Sequence, residues 1–275
     1  MKPAHRSLGS LLRFLPAALP LFLAVSPLAA HDFWIEPSTL EPAPGSRVGV
    51  RLRVGENFAG DPVPRDPARV VRFATIGPGG ETPIQGVPGG EPAGYAAIGP
   101  AGTYLLVFDS NRASVDLEAQ KFEDYLKLEG LEKISDLRKK RGESAKPSHE
   151  VYSRKVKSLL IAGGEPGPGF DRVLGLDLEL IPEKNPSTLK PGEALPVRLL
   201  FRGKPLAGAL VVAHPRSKPI EGALRQRTDA EGRVRFHLPP GEVWLVKSVN
   251  MIEAPKDANA DWESFWASLT FRGPK

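Results

Sequence analysis

Residues 47–54 read Arg-Val-Gly-Val-Arg-Leu-Arg-Val, and their strict alternation decides the class of fold. In an extended chain the apolar residues of this stretch share one face and the arginines share the other, which predicts a half-buried antiparallel strand. Further strands are predicted at 70–74 and 104–108, between stretches rich in glycine and proline. Short strands separated by such breakers are typical of a β-sandwich, which we place at residues 31–116.

The same pattern returns in the second half of the chain. Four leucines between positions 174 and 180 alternate with glycine and acidic residues. Short apolar runs follow at 195–201, 209–213, 233–238 and 243–247, with turn residues between them. These runs predict a second sandwich over residues 170–275.

The residues between the two predicted sandwiches have a helical period instead. Phe122, Tyr125 and Leu126 recur at helical spacing, and Gly130 is placed to end that helix. A second helix is predicted to follow, and Ser148 is predicted to cap a third that buries Tyr152, Val156, Leu159 and Leu160. We therefore expect a mostly β protein with two antiparallel β-sandwich domains and a helical insertion at 117–162 between them.

The first thirty residues have the composition of a secretion signal. Lys2, Arg6 and Arg13 form a basic start, an apolar run occupies 14–25, and a small residue, Ala30, ends the segment. The apolar run is shorter than the roughly 20 residues that a transmembrane helix needs. We expect residues 1–30 to be a cleaved signal peptide, with no membrane span afterwards and with His31 as the new N-terminus.

Composition excludes several classes of function. The formal net charge of +5 falls to about +2 without the predicted signal, so the charge gives no indication of nucleic-acid binding. There is no cysteine, hence no disulfide and no thiolate to act as nucleophile or metal ligand. Sequence motifs of hydrolases, zinc proteases and phosphate-binding loops are also missing from the sequence, and we predict that the protein is not an enzyme.

Two segments carry resemblances to known families. Residues 203–241 resemble the transthyretin-like or carboxypeptidase-regulatory β-sandwich, a scaffold that says little about activity. The whole chain from position 31 resembles the DUF4198 family. That resemblance rests on Ala30-His-Asp-Phe-Trp34, on Phe122-Glu-Asp-Tyr-Leu-Lys-Leu-Glu-Gly-Leu131, on Tyr152-Ser-Arg-Lys155, on residues 178–186 and on residues 261–271. It implies an exported bacterial protein, described as a periplasmic component of nickel or cobalt uptake, whose partner would be a metal transporter or an outer-membrane receptor.

A processed N-terminus would give His31 a particular chemistry. Its free amine and its ring Nδ1 could chelate one nickel, cobalt or copper ion, all of which accept nitrogen ligands. The candidate metal ligands are His31, Asp32, His149, His237 and Met251. Other candidate binding residues are Tyr152, Arg154, Lys155 and Asn250, where Arg154 and Lys155 could meet an anionic ligand. Asn250 stands where the family resemblance would suggest a histidine, and His214 is expected to be a strand-end residue.

Two alternatives stay open at this stage. The sandwiches could form a non-catalytic module that presents loops to a glycan or a protein, with Trp262 and Trp266 either stacking on a sugar or packing in the core. A copper-dependent oxidative enzyme also uses an N-terminal histidine, but it needs a second histidine beside the first. The sequence does not show which histidine approaches His31.

Overall fold

Alternating apolar residues make β-strands the main secondary structure, as the sequence predicts, and nearly half of the described residues lie in strands. The computed structural model describes residues 31–275, and the predicted signal peptide lies outside the described residues. Within 31–275 no helix has the length and apolar character that crossing a bilayer would require.

The strands and helices follow one another in chain order. The first group is β1 (Asp32–Pro37), β2 (Arg47–Glu56), β3 (Ala59–Val63), β4 (Val70–Gly77), β5 (Gly80–Pro83), β6 (Gly94–Ala97), β7 (Gly102–Ser110) and β8 (Ala113–Leu117). Two helices come next, α1 (Ala119–Leu128) and α2 (Glu132–Arg141). The last group is β9 (Ser148–Ala162), β10 (Leu178–Pro182), β11 (Ala194–Phe201), β12 (Lys204–Pro205), β13 (Leu210–Pro215), β14 (Leu224–Arg227), β15 (Arg233–His237), β16 (Val243–Glu253) and β17 (Trp262–Arg272).

These strands form one large sheet and two small ones. The large central sheet has the order β14-β13-β16-β17-β9-β7-β4-β5, with β8 also paired to β9. The first small sheet contains β1, β2, β3 and β6, and the second contains β10, β11, β12 and β15. Strands β9 and β17 run parallel and join the two halves of the chain inside the central sheet.

The two small sheets cover opposite faces of the central sheet. On β7, Leu106 and Phe108 pack against the first small sheet, while Leu105 and Val107 pack against the second. Successive side chains of a strand point to opposite faces, so this division assigns one face to each apolar core. The result is three layers, with the central sheet buried on both sides.

The mostly β class is confirmed, but the predicted third helix is wrong. Residues 148–162 form the long strand β9. The helical spacing of its apolar residues was misleading because both faces of β9 are buried, so apolar residues occur on both faces and no simple alternation is visible. The insertion is therefore limited to two helices, and the division into two separate sandwiches is not confirmed, since strands from both halves share one sheet.

The two predicted helices are confirmed, and they pack beside the first small sheet on the same face of the central sheet. Phe122 and Leu126 of α1 lie in one apolar cluster with Trp262 and Trp266 of β17. Both tryptophans are buried, which favours core packing over stacking on a sugar. Gly130 ends the first helical segment with a φ of 69°, a left-handed conformation that favours glycine.

Candidate functional site

His31 is held at two points where β1 begins. Its carbonyl oxygen accepts a hydrogen bond of 2.7 Å from Nη1 of Arg154, on β9. Its ring Nε2 lies 3.3 Å from Oε1 of Glu56 at the end of β2. The antiparallel register, which sets Asp32 opposite Gly55, brings these two side chains together. Arg154 thus holds the backbone of His31 and Glu56 contacts its ring, while a quarter of the side chain stays exposed.

Asp32 is engaged in a buried ionic cluster. Its Oδ1 lies 2.5 Å from Nζ of Lys247, and Oε1 of Glu129 lies 2.8 Å from the same nitrogen. Burial alone would lower the pKa of Lys247, but the two carboxylates outweigh it and hold that pKa above its usual value. Burial raises the pKa of Glu129. With its charge paired to Lys247, Asp32 is placed to fix the start of β1 rather than to be a free metal ligand.

A small cavity lies against this cluster, and we call it the Lys247 cavity. It has a volume of about 70 Å³, and its walls include Asp32, Glu56, Glu129, His214, Arg225 and Lys247. His214 therefore lines the same cavity as Asp32, which follows His31 in the chain, and as Glu56, whose carboxylate contacts the His31 ring.

His214 has a defined proton arrangement. Its Nδ1 lies 2.6 Å from the carbonyl oxygen of Pro219. Because a carbonyl oxygen only accepts, Nδ1 carries the hydrogen of that bond. Burial lowers the pKa of His214, which favours the neutral ring at neutral pH. A neutral ring with its hydrogen on Nδ1 has a free lone pair on Nε2, the form in which an imidazole binds a metal.

The other predicted metal ligands lie elsewhere. His149 contacts Asp116 at 2.7 Å. It lies five residues before Arg154 on β9, which is about 16 Å at roughly 3.3 Å per residue. His237 bonds the carbonyl of Gly192 at 3.1 Å in the second small sheet, beyond the central sheet. Met251 is buried among the helices, about 13 Å along β16 from Lys247.

The structure therefore does not bring His149, His237 or Met251 to His31. Among residues 31–275, no three histidine, aspartate or glutamate side chains are grouped as a metal-binding cluster. The half-buried Asn250 lines a different cavity, which lies between α2 and the loop before β13.

The predicted anion-contacting residues of β9 face opposite sides of the central sheet. Lys155 points toward the second small sheet, where it pairs with Asp109 at 2.6 Å and Asp177 at 3.2 Å. Tyr152 and Arg154 point toward the first small sheet. The Arg154 guanidinium lies 4.7 Å from the ring centre of Trp266 and 5.0 Å from that of Tyr152. Lys155 is already paired, whereas Arg154 has aromatic neighbours and no paired carboxylate within the described residues.

The fold and site define a mostly β protein of three stacked sheets, with the predicted mature N-terminus set over a buried ionic cluster. The chain matches the family described as "Domain of unknown function (DUF4198)" over residues 28–251, which is most of its length, and it belongs to that family. Comparison with curated proteins gives no match. The family resemblance seen in the sequence is thereby confirmed.

Proposed function

We propose that the chain is exported to the periplasm, cleaved after Ala30, and binds one divalent transition-metal ion through the amine and ring Nδ1 of His31. Nickel, cobalt and copper are the candidates, because all three accept nitrogen ligands. Export would expose this amine, and the protein would act without catalysis, delivering the ion to a metal transporter or an outer-membrane receptor. A transthyretin-like region at 203–241 would serve as scaffold.

The contact between His31 and Glu56 carries the proposal. Metal-binding histidines commonly donate their other ring N–H to a carboxylate, which fixes the tautomer and the ring orientation. Nε2 lies 3.3 Å from Oε1 of Glu56, which is an ion-pair distance and not a formed hydrogen bond, and metal binding would draw the exposed carboxylate into that role. A hydrogen on Nε2 leaves Nδ1 unprotonated, as a six-membered chelate ring through the amine and Nδ1 requires. The Arg154 bond to the His31 carbonyl restrains the backbone of the same chelate.

His214 is the best candidate for a third ligand. The neutral ring with a free Nε2 suits a metal, and the residue shares the Lys247 cavity with Glu56 and Asp32. The His31 or His214 side chain would have to move to complete the site, because no preformed three-residue cluster exists among residues 31–275. Water would fill the remaining positions.

The test is calorimetric titration of the processed protein with nickel, cobalt and copper salts. His31→Ala should abolish tight binding of the preferred metal. Glu56→Gln should weaken it by roughly 10- to 100-fold, the usual cost of losing a carboxylate that orients a metal-bound histidine. The exposed His237→Ala is the matched control, because it removes an imidazole in the second small sheet and should leave affinity unchanged.

Two further outcomes separate this proposal from its rivals. If His214→Ala weakens copper selectively and the copper-loaded protein turns over peroxide, the oxidative-enzyme alternative replaces simple binding. If none of the three metals binds the processed protein with a defined stoichiometry, the metal proposal fails and a module for glycan or protein partners takes its place.

A further inference from the structure

A second cavity lies between the first small sheet and the central sheet, and we call it the Arg154 cavity. Its volume is about 140 Å³, and its walls are mainly apolar, including Phe33, Leu52, Val54, Phe73 and Phe108. An enclosed cavity of about 150 Å³ with such walls is large enough for benzene. The space is therefore sufficient for a molecule with one ring.

One charged group faces this apolar space from within the fold. Arg154 lines the cavity and is only 4% exposed. Its guanidinium donates to the carbonyl of His31, and within residues 31–275 its side chain makes no other hydrogen bond and no ion pair. Asp32 and Glu150 are the carboxylates whose charges reach it, and they are engaged with Lys247 and with Ser264 respectively.

A buried guanidinium without a carboxylate is costly. Burial lowers the pKa of Arg154, in line with the loss of hydration around its charge. Arginine offers five N–H donors in a planar fork, and that fork matches a carboxylate in two parallel hydrogen bonds. The aromatic rings that flank the guanidinium offset part of its desolvation but do not use these donors.

The rim of the cavity also favours an anion. Arg65 and Arg69 lie there with a single acid, Asp66, so positive charge exceeds negative charge. Both rim arginines donate hydrogen bonds to backbone carbonyls, which hold their charges in place. Arg65 donates to Ile84 and Ala93, and Arg69 donates to the segment after β7. Asp66 accepts a hydrogen bond from a nearby backbone amide.

We propose that the Arg154 cavity binds a small aromatic monocarboxylic acid, whose ring packs against Phe33 and Phe73 and whose carboxylate pairs with Arg154. The single buried guanidinium matches one negative charge, whereas a phosphate dianion would need more donors than these apolar walls provide. The site is separate from the His31 chelate, although Arg154 contributes to both.

The probe is benzoate, titrated into the processed protein by calorimetry and by protein NMR, with a chelator present so that no metal takes part. Benzyl alcohol supplies the ring without the charge, and acetate supplies the charge without the ring. We expect saturable benzoate binding, with an affinity at least roughly 10-fold higher than that of benzyl alcohol or acetate. A gain of this size is what a pair of charge-assisted hydrogen bonds contributes.

Variants distinguish this site from nonspecific anion binding. Arg154→Gln should reduce benzoate affinity by roughly 10-fold or more while leaving benzyl alcohol affinity unchanged. Val63→Phe fills the cavity from its half-buried wall, keeps the arginine and should weaken both ring compounds. Arg47→Gln is the matched control, since Arg47 also stacks on a tyrosine, Tyr95, but lies outside this cavity.

The proposal is overturned if benzoate shows no saturable binding, or if Arg154→Gln binds it as tightly as the unchanged protein does. If Arg154→Gln does not fold, the Val63→Phe result decides: unchanged benzoate affinity in that variant would place the ligand elsewhere. Metal binding in the absence of chelator is measured separately, so either proposal can fail without the other.

Discussion

Replacement of Lys247 by methionine should be among the most damaging single changes in this protein. Lys247 lies between two carboxylates, those of Asp32 and Glu129, and the side chains of all three are at most 11% exposed. Lys247→Met keeps the apolar volume and removes the cation, leaving two negative charges buried together. Removing one partner from a buried ion pair costs about 3–5 kcal/mol, and we expect about 4 kcal/mol here.

Loss of this size is measurable by calorimetry. For a chain of this length, 1 kcal/mol shifts Tm by about 2–4 °C, so Lys247→Met should lower Tm by about 8–16 °C. Lys184→Met is the matched control: Lys184 pairs with Glu193 on the surface, and exposed pairs of this kind contribute little, so its Tm should be unchanged.

The pH dependence of the variant is a second readout. Burial raises the pKa of Glu129, so the folded protein holds this proton more tightly than the unfolded chain does, and stability is gained as the pH falls. Loss of Lys247 raises that pKa further. The defect should therefore shrink as the pH falls below neutral, and Lys247→Met combined with Glu129→Gln should recover part of it. A Tm within about 2 °C of the unchanged protein, or a defect independent of pH, would refute this account of the cluster.

Three further changes probe other parts of the fold. Burial raises the pKa of Glu150 to about 7, so the free energy of unfolding should fall by about 3 kcal/mol as the pH rises from about 4.5 to about 7. Glu150→Gln should remove that fall when unfolding in urea is measured at each pH, and an unchanged pH dependence would contradict this. Arg138→Met should cost about 3 kcal/mol of stability, because the buried Arg138 side chain donates hydrogen bonds from α2 to the loop before β9. Arg141→Met, at a more exposed position, should change the urea midpoint little, and equal effects of the two variants would contradict this role of Arg138. Gly77→Ala should cost about 1–3 kcal/mol of stability, since the new Cβ would lie 2.2 Å from the ring of the buried Tyr104. In the control Gly79→Ala the new Cβ meets no atom within 4 Å, and equal Tm values for the two variants would show that the Tyr104 ring moves aside without cost.

Strand β9 shows why part of the fold could not be predicted from the sequence. On one face it carries Arg154 and Val156, and on the other it carries Lys155 and Lys157, all buried. The lysines are buried because they meet acids from distant segments, as when Lys157 pairs with Glu179 at 2.9 Å. Charged residues on both faces of a buried strand remove the alternation that identified residues 47–54. Among the strands of the small sheets, β2, β11 and β15 were predicted with small errors in their ends, whereas β3, β6 and β12 were not predicted.

The candidate site was predictable only in its local part. The sequence identified His31 and Arg154, and the structure brings them into contact. It could not identify His214, because the Lys247 cavity exists only where β1 crosses β13 and β16, which are far apart in the chain. Nor could it show that Asp32 is paired with Lys247, since that contact spans most of the protein. Glu56 was missed for a related reason: its position depends on the register of β1 against β2.

One comparison of affinities decides whether the amine of His31 is a metal ligand. The processed protein and a version whose N-terminal amine is acetylated are titrated with the same nickel, cobalt and copper salts. Acetylation leaves the imidazole in place but converts the amine into an amide, so affinity for the preferred metal should fall by at least roughly 10-fold. Equal affinity in the two proteins would contradict it.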